Sequence, residues 1–220
     1  MFLARDWWSL FQTGGLAMYP LLLCSVVSVA VILERFWTLW SAARQSKQLR
    51  QAVSEVLAEG TLPEASAVIR RDRSLLASLY KAALSALETG SEDPWRLVAQ
   101  RHNAAVRELK RHLWLVGTIG SLAPFIGLFG TVLGIVRAFE NMAATGSGGF
   151  AVVAAGISEA LVATAAGLLI GVVSIFFYNA FNVRIATLAS EWKDWAEELA
   201  VAAATYRGRE GGPARVVQVR

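Results

Sequence analysis

Residues 114–139 read WLVGTIGSLAPFIGLFGTVLGIVRAF, and up to Arg137 the stretch carries no charged side chain. It is longer than the roughly 20 apolar residues that a helix needs to cross about 30 Å of hydrocarbon. It also contains five glycines, more than a helix facing only lipid requires. The stretch therefore predicts a membrane-spanning helix that packs closely against other helices.

Two further stretches have few charges over a similar length. Residues 14–33 carry no charged side chain and are followed by Glu34. Residues 150–181 carry one charged side chain, Glu159. In the 220-residue chain 55% of residues are hydrophobic and 17% are charged, against about 25% charged in soluble domains. Three buried core helices would leave too few polar residues to cover them. The sequence therefore predicts an all-α membrane protein with three transmembrane helices.

The first apolar stretch differs from a cleaved signal peptide. Residues 1–6 are not basic, the apolar run is too long, and it ends in Glu34-Arg35 rather than in a small-residue cleavage site. Leu23 is too bulky for the position before a lipoprotein cysteine, so Cys24 is interpreted as a buried apolar residue. As the single cysteine it excludes an intramolecular disulfide. No metal site or cofactor is expected, since His102 and His112 lie in polar surroundings.

The distribution of basic residues predicts the orientation. Residues 34–112 carry thirteen Lys and Arg and residues 184–220 carry six, whereas the N-terminal arm has only Arg5 and the turn at 140–151 has none. Basic loops stay in the cytoplasm. We therefore expect the N-terminus on the outer (periplasmic) side of the membrane, and the long loop and the C-terminus in the cytoplasm. This bias also accounts for the net charge of +4, so nucleic-acid binding is not indicated.

Helical periodicity completes the predicted organisation. No breaker interrupts residues 95–136 before Gly117, and residues 184–206 keep helical spacing, so the second and third spans are expected to extend into long cytoplasmic helices. The expected segments are a periplasmic arm (1–13), the first span (14–36), a cytoplasmic helical region (37–112), the second span (113–139), a periplasmic turn (140–151), the third span (152–181), a cytoplasmic helical extension (182–207) and a flexible tail (208–220).

Small residues recur at intervals of four in the second and third spans. Such spacings let helix backbones approach closely in lipid. The residues that we expect at these helix contacts and in a pore wall are Pro124, Gly127, Gly130, Gly134, Ala160, Gly167 and Gly171. The first span is plainly aliphatic and is expected to face lipid.

Two hydroxyls and one acid lie at membrane depth. Thr131 and Thr164 fall about 12 and 18 Å from the outer ends of their spans at 1.5 Å per residue, so they could lie at similar levels. Each could equally bond to its own helix backbone. A carboxylate such as Glu159 costs several kcal/mol at this depth unless it faces a cavity or a partner. It is either half of an ion pair with Arg137 or a proton-handling group of an ion path.

Two motifs carry a family resemblance. Residues 123–135, APFIGLFGTVLGI, with Ala138-Phe139 after them, resemble the second-span motif of the MotA/TolQ/ExbB proton-channel family. Residues 156–168, GISEALVATAAGL, with Tyr178-Asn179 after them, resemble its third-span motif. Span number, order and the large first cytoplasmic loop agree along the whole length, and three spans fit the TolQ/ExbB branch better than the four-span flagellar stators.

The resemblance implies a motor subunit. Relatives form a ring, typically of five copies, around the transmembrane helices of an ExbD/TolR-like single-span partner that supplies a proton-carrying aspartate. By the same resemblance Thr131 and Thr164 face that aspartate, Glu159 is a further functional position, and both spans line the pore. The glycine-rich faces are then expected to hold the partner's helix. Arg137 departs from the pattern; at the pore mouth it could shape selectivity or bind lipid phosphate.

Other functions remain open at this point. A non-conducting membrane scaffold and an autonomous ion channel would use the same spans. An enzyme is not expected, because the sequence has no nucleotide-binding loop, metal cluster or nucleophile constellation. Which process is driven, whether outer-membrane transport, envelope constriction or gliding, depends on partners that the sequence does not specify.

Overall fold

The computed structural model describes residues 14–59, 62–88, 94–145 and 150–209, and these form helices with short connections. The helices are α1 (Met18–Ala58), α2 (Leu62–Arg71), α3 (Leu75–Glu88), α4 (Pro94–Leu109), α5 (Leu113–Thr145) and α6 (Phe150–Arg209). The predicted N-terminal arm, most of the predicted tail and part of the predicted periplasmic turn lie outside the described residues.

Three of these helices are long and apolar enough to cross a membrane. They are α1, α5 and α6, and their most apolar windows have mean hydropathies of 1.8, 2.0 and 2.4. The prediction of three apolar spans in an all-α chain is therefore confirmed. Helix α1 continues to Ala58, well past the residue at which the first span was expected to end, because residues 37–58 contain neither proline nor glycine.

The prediction that the second span continues without a break from a long preceding helix was wrong. Helix α4 ends at Leu109 and α5 begins at Leu113. Between them His112 adopts the left-handed backbone conformation, with φ of 61°, and its carbonyl accepts the N–H of Leu115 at 3.0 Å. The third apolar helix does continue without a break, since α6 runs from Phe150 to Arg209. That its second half is cytoplasmic remains a prediction.

The chain divides into two compact units, of which the first comprises Met1–Glu34 and His112–Ala180. Its core is formed where Leu21 of α1 meets Ile119 and Ala123 of α5, with Ala166 and Ile170 of α6 packed against them. The first span was expected simply to face lipid. Helix α1 instead also contributes to this core. One of its faces is buried in this core, while Leu23 on the opposite side is 65% exposed.

The second unit comprises Arg35–Arg111 and Phe181–Arg220. Helix α3 contacts both α2 and α4 within it, and Trp192 of α6 is completely buried. His102 of α4 forms a hydrogen bond of 2.9 Å with the carbonyl oxygen of Ala189. The unit is a bundle of amphipathic helices with an apolar core of its own.

Arg35 is a charged residue buried inside this second unit, with 3% of its surface exposed. Its Nη1 donates to the carbonyl oxygens of Glu108 and Leu109, at 3.1 and 3.2 Å. These carbonyls belong to the last turn of α4, where they have no partner within the helix, and a cation is favourable at this end of the helix dipole. Arg35 thus caps α4 where the helix ends.

Candidate functional site

The candidate site is built on the contact between α5 and α6 in the first unit. A Cβ atom on Gly127 would lie 2.8 Å from the carbonyl oxygen of Ala163, and one on Gly167 would lie 2.5 Å from that of Ala123. Both distances are below van der Waals contact, so no larger side chain fits while the backbones keep these positions. The two helices therefore touch through backbone atoms at Gly127 and Gly167.

The other small residues continue this contact along both helices. A Cβ on Gly134 would come within 2.6 Å of the Cβ of Ala160, and one on Gly171 within 2.7 Å of the ring of Pro124. A Cβ on Gly130 would approach the Cβ atoms of Ala17 and Ala163. The structure thus places all seven residues of the predicted packing set at contacts within the chain. Their role in a pore wall remains a prediction.

The two threonines differ in what they bind. Thr131 is buried, and its hydroxyl donates to the carbonyl of Leu128 in its own helix, at 2.6 Å. The hydroxyl of Thr164 instead crosses to α5 and donates to the carbonyl of Gly127, at 2.9 Å. Gly130 precedes Thr131 and contacts Ala163, which precedes Thr164. The two threonines therefore lie at similar levels along the hairpin.

Glu159 and Arg137 line one cavity with a volume of about 520 Å³. It lies between Gly14–Ala17, the C-terminal part of α5 and the first turns of α6. Within the described residues no ion pair joins Glu159 to Arg137. The site thus combines a carboxylate and a guanidinium at one end of the hairpin with the threonines further along it.

Ser28 and Ser174 form a pair that the sequence pattern did not indicate. Their hydroxyl oxygens lie 2.7 Å apart in a buried hydrogen bond between α1 and α6. Ser174 is a lone serine in an aliphatic run and Ser28 follows Ser25 in another. The one available signal was their position inside a span, where hydroxyls often bond between helices. In the described part of the chain, no group of three or more His, Cys, Asp or Glu could hold a metal ion.

Comparison with known proteins identifies the family. Residues 71–194, more than half of the chain, match the sequence profile described as the MotA/TolQ/ExbB proton channel family. The chain belongs to this family. The matched region contains all of α5 and the part of α6 that carries Glu159 and Thr164.

Individual proteins of the MotA/TolQ/ExbB family show the same relationship. The biopolymer transport protein ExbB of Salmonella typhimurium is 33% identical over 209 residues, which cover 87% of this chain and 84% of that protein. The Tol-Pal system protein TolQ of Pseudomonas aeruginosa is 32% identical over 165 residues, covering 75% of this chain and 69% of that protein. ExbB of Pseudomonas putida is 33% identical over 183 residues, covering 77% of this chain but 56% of that protein.

Proposed function

We propose that this chain is the ring-forming subunit of a motor driven by the proton-motive force in a bacterial inner membrane. It conducts protons together with an ExbD/TolR-like single-span partner and passes force to the cell envelope. The ring has five copies, the N-terminus is periplasmic and the C-terminus is cytoplasmic. The observation that carries the proposal is the family match across the α5–α6 hairpin, which bears Thr131, Glu159 and Thr164.

The chemistry of the hairpin supports the need for a partner. A threonine hydroxyl does not store a proton at neutral pH, but it can accept a hydrogen bond from a protonated carboxyl group or from water while it donates one itself. The hydroxyl of Thr164 already donates to the carbonyl of Gly127. Its oxygen can therefore still accept a hydrogen bond from a protonated carboxyl group or from water. An aspartate on a partner helix supplies the titrating group, and one charge crossing 100 mV releases about 2.3 kcal/mol.

The contacts within the chain restrict where the partner helix binds. Because the glycine-rich faces of α5 and α6 contact each other, the proposed partner helix binds at the pore wall beside this contact and not between the two faces. Large apolar side chains next to this contact point away from the core, among them Leu128 and Phe129. In the proposed ring these outer faces meet neighbouring subunits, lipid and the partner helix.

The decisive experiment is purification of the tagged chain from its native membrane with its partner. The mass of the intact complex gives the ring stoichiometry, and reconstitution in liposomes gives proton influx under an imposed potential. We expect a small single-span protein to co-purify. We also expect Thr131→Val and Thr164→Val to remove proton influx while the complex keeps its mass.

The same measurements separate the competing functions. Full proton influx in both threonine variants would contradict the assigned roles of these residues. A cellular activity that persists in the presence of an uncoupler would favour a non-conducting scaffold. Conduction by the chain reconstituted without a partner would favour an autonomous channel.

A further inference from the structure

The cavity at one end of the hairpin is large enough to hold water. Its volume is about 520 Å³, which is room for roughly 17 water molecules at about 30 Å³ each. Glu159 lies nine residues after the start of α6, or about 14 Å along the helix. On the two helices of the hairpin the cavity wall extends from Asn141 and Ala155 inward to Gly130 and Ala160, and it includes this carboxylate.

Its wall has a simple composition. Arg137 and Glu159 are the charged lining residues, Asn141 is the polar uncharged one, and all the others are glycine, alanine or leucine. A charged side chain in a membrane segment is stable only where it faces water or a partner. No ion pair joins these two charges within the described residues. Both side chains are exposed at the cavity, so water can reach them there.

Building on the proposed role of Glu159 in proton transfer, we propose that this cavity is an aqueous vestibule leading to Glu159, and that Arg137 sets the electrostatic potential inside it. Hard metal cations in proteins are held by several oxygen ligands. This wall offers few side-chain oxygens that could replace the hydration shell of a metal ion. A proton needs no such ligand shell, because it passes along hydrogen-bonded water and is taken up by the carboxylate. The vestibule is therefore better suited to a proton than to a metal ion such as Na⁺, while the charge of Arg137 disfavours both.

Accessibility of single cysteines to charged thiol reagents in membranes tests the vestibule. The one native cysteine, Cys24, is first replaced by alanine. In this background Glu159→Cys and Ala155→Cys place a thiol on the cavity wall. The matched control is Leu161→Cys, two residues from Glu159 and 58% exposed, which is not part of the wall. We expect membrane-impermeant methanethiosulfonates to modify both cavity variants at least about tenfold faster than the control.

The sign of the charge in the cavity is tested by the ratio of two rates. In the Glu159→Cys variant, where Arg137 is the remaining charge on the wall, we expect the anionic reagent to react faster than the cationic one. Adding Arg137→Gln should lower that anionic-to-cationic ratio by about fivefold or more, since a unit charge a few ångströms away acts oppositely on the two reagents. Ala155→Cys provides the same comparison with Glu159 intact.

Each outcome decides one part of the proposal. Modification of both cavity variants no faster than of Leu161→Cys would overturn the vestibule. Rapid modification with a ratio that ignores Arg137→Gln would overturn the role of Arg137. Because labelling needs no proton flow, a positive result combined with full proton influx in Glu159→Gln would remove Glu159 from the proposed proton path and leave the vestibule standing.

Discussion

The carbonyl oxygen of Gly127 accepts the hydroxyl of Thr164 from the neighbouring helix at 2.9 Å. Because α5 is helical through this region, the same carbonyl is the helical acceptor for the backbone N–H of Thr131, four residues on. One oxygen therefore joins the two threonines of the hairpin. A displacement of either threonine alters the hydrogen bonding of the other through this carbonyl. The positions of the two threonines are therefore coupled.

The shared carbonyl leads to the first prediction. Thr164→Val removes the hydroxyl and should abolish proton-driven activity while lowering the stability of the chain by only about 1 kcal/mol, the net value of one hydrogen bond. Thr164→Ser keeps the hydroxyl and should retain most activity. Proton influx into liposomes and thermal unfolding in detergent measure the two effects. Thr118→Val, an exposed position on α5, serves as the control and should retain full activity.

The second prediction concerns the backbone contact at Gly127. A Cβ added there would meet backbone atoms of α6, so Gly127→Ala must separate the helices and should cost about 1–3 kcal/mol, as overpacking does. At Gly134 the obstructing atom is the Cβ of Ala160, at 2.6 Å. We therefore expect Ala160→Gly to restore the Tm of Gly134→Ala. Ala163→Gly should not restore that of Gly127→Ala, because the carbonyl of residue 163 is still present. Equal restoration of both would argue against backbone contact.

The third prediction concerns the hydrogen bond between Ser28 and Ser174. Replacing either serine by alanine leaves a buried hydroxyl without its partner, at about 1 kcal/mol. Replacing both should cost less than the sum of the two single changes. A double-mutant cycle measured by unfolding in detergent gives the coupling energy, for which we expect about 0.5–1.5 kcal/mol. Strictly additive effects would mean that the bond contributes no stability.

The fourth prediction concerns stability at alkaline pH. Burial, with a smaller opposing effect from Arg50 and a supporting one from Glu198, raises the pKa of Tyr80 from 10.0 to about 12. Above pH 10 the unfolded chain loses a proton that the folded chain retains, so the free energy of unfolding falls as the pH rises from 10 to about 12. Tyr80→Phe removes this contribution. Unfolding curves from pH 8 to 12 should therefore show a smaller decline for the variant, and parallel declines would contradict the assignment.

Charge distribution alone was enough to locate the three apolar helices, because the energy of burying a charge in lipid is large compared with any local preference. The turn at residues 110–112 could not be predicted in this way. Lys110, Arg111 and His112 contain no strong helix breaker, and α4 ends where Arg35, more than seventy positions earlier, binds its last carbonyls. Tertiary contacts of this kind leave no local signal.

In the candidate site, too, the sequence predicted residue types and depth but not the tertiary contacts. Glycine spacing predicted which residues allow close approach, but not whether the approaching helix belongs to this chain or to another. Residue types likewise placed Thr131 and Thr164 at membrane depth. They did not reveal that the first bonds within its own helix and the second across to Gly127, since that depends on how each helix is rotated.

The contact between Gly127 and Gly167 also has a consequence for how the protein is made. Helix α5 leaves the ribosome before α6. It carries a proline and several glycines whose exposed backbone packs poorly against lipid tails. Its natural covering is the small-residue face of α6, which follows after residues 146–149. We therefore expect the translocation machinery to release the two helices into the bilayer together, as one hairpin. A chain truncated before α6 should remain bound to that machinery or be degraded by membrane proteases.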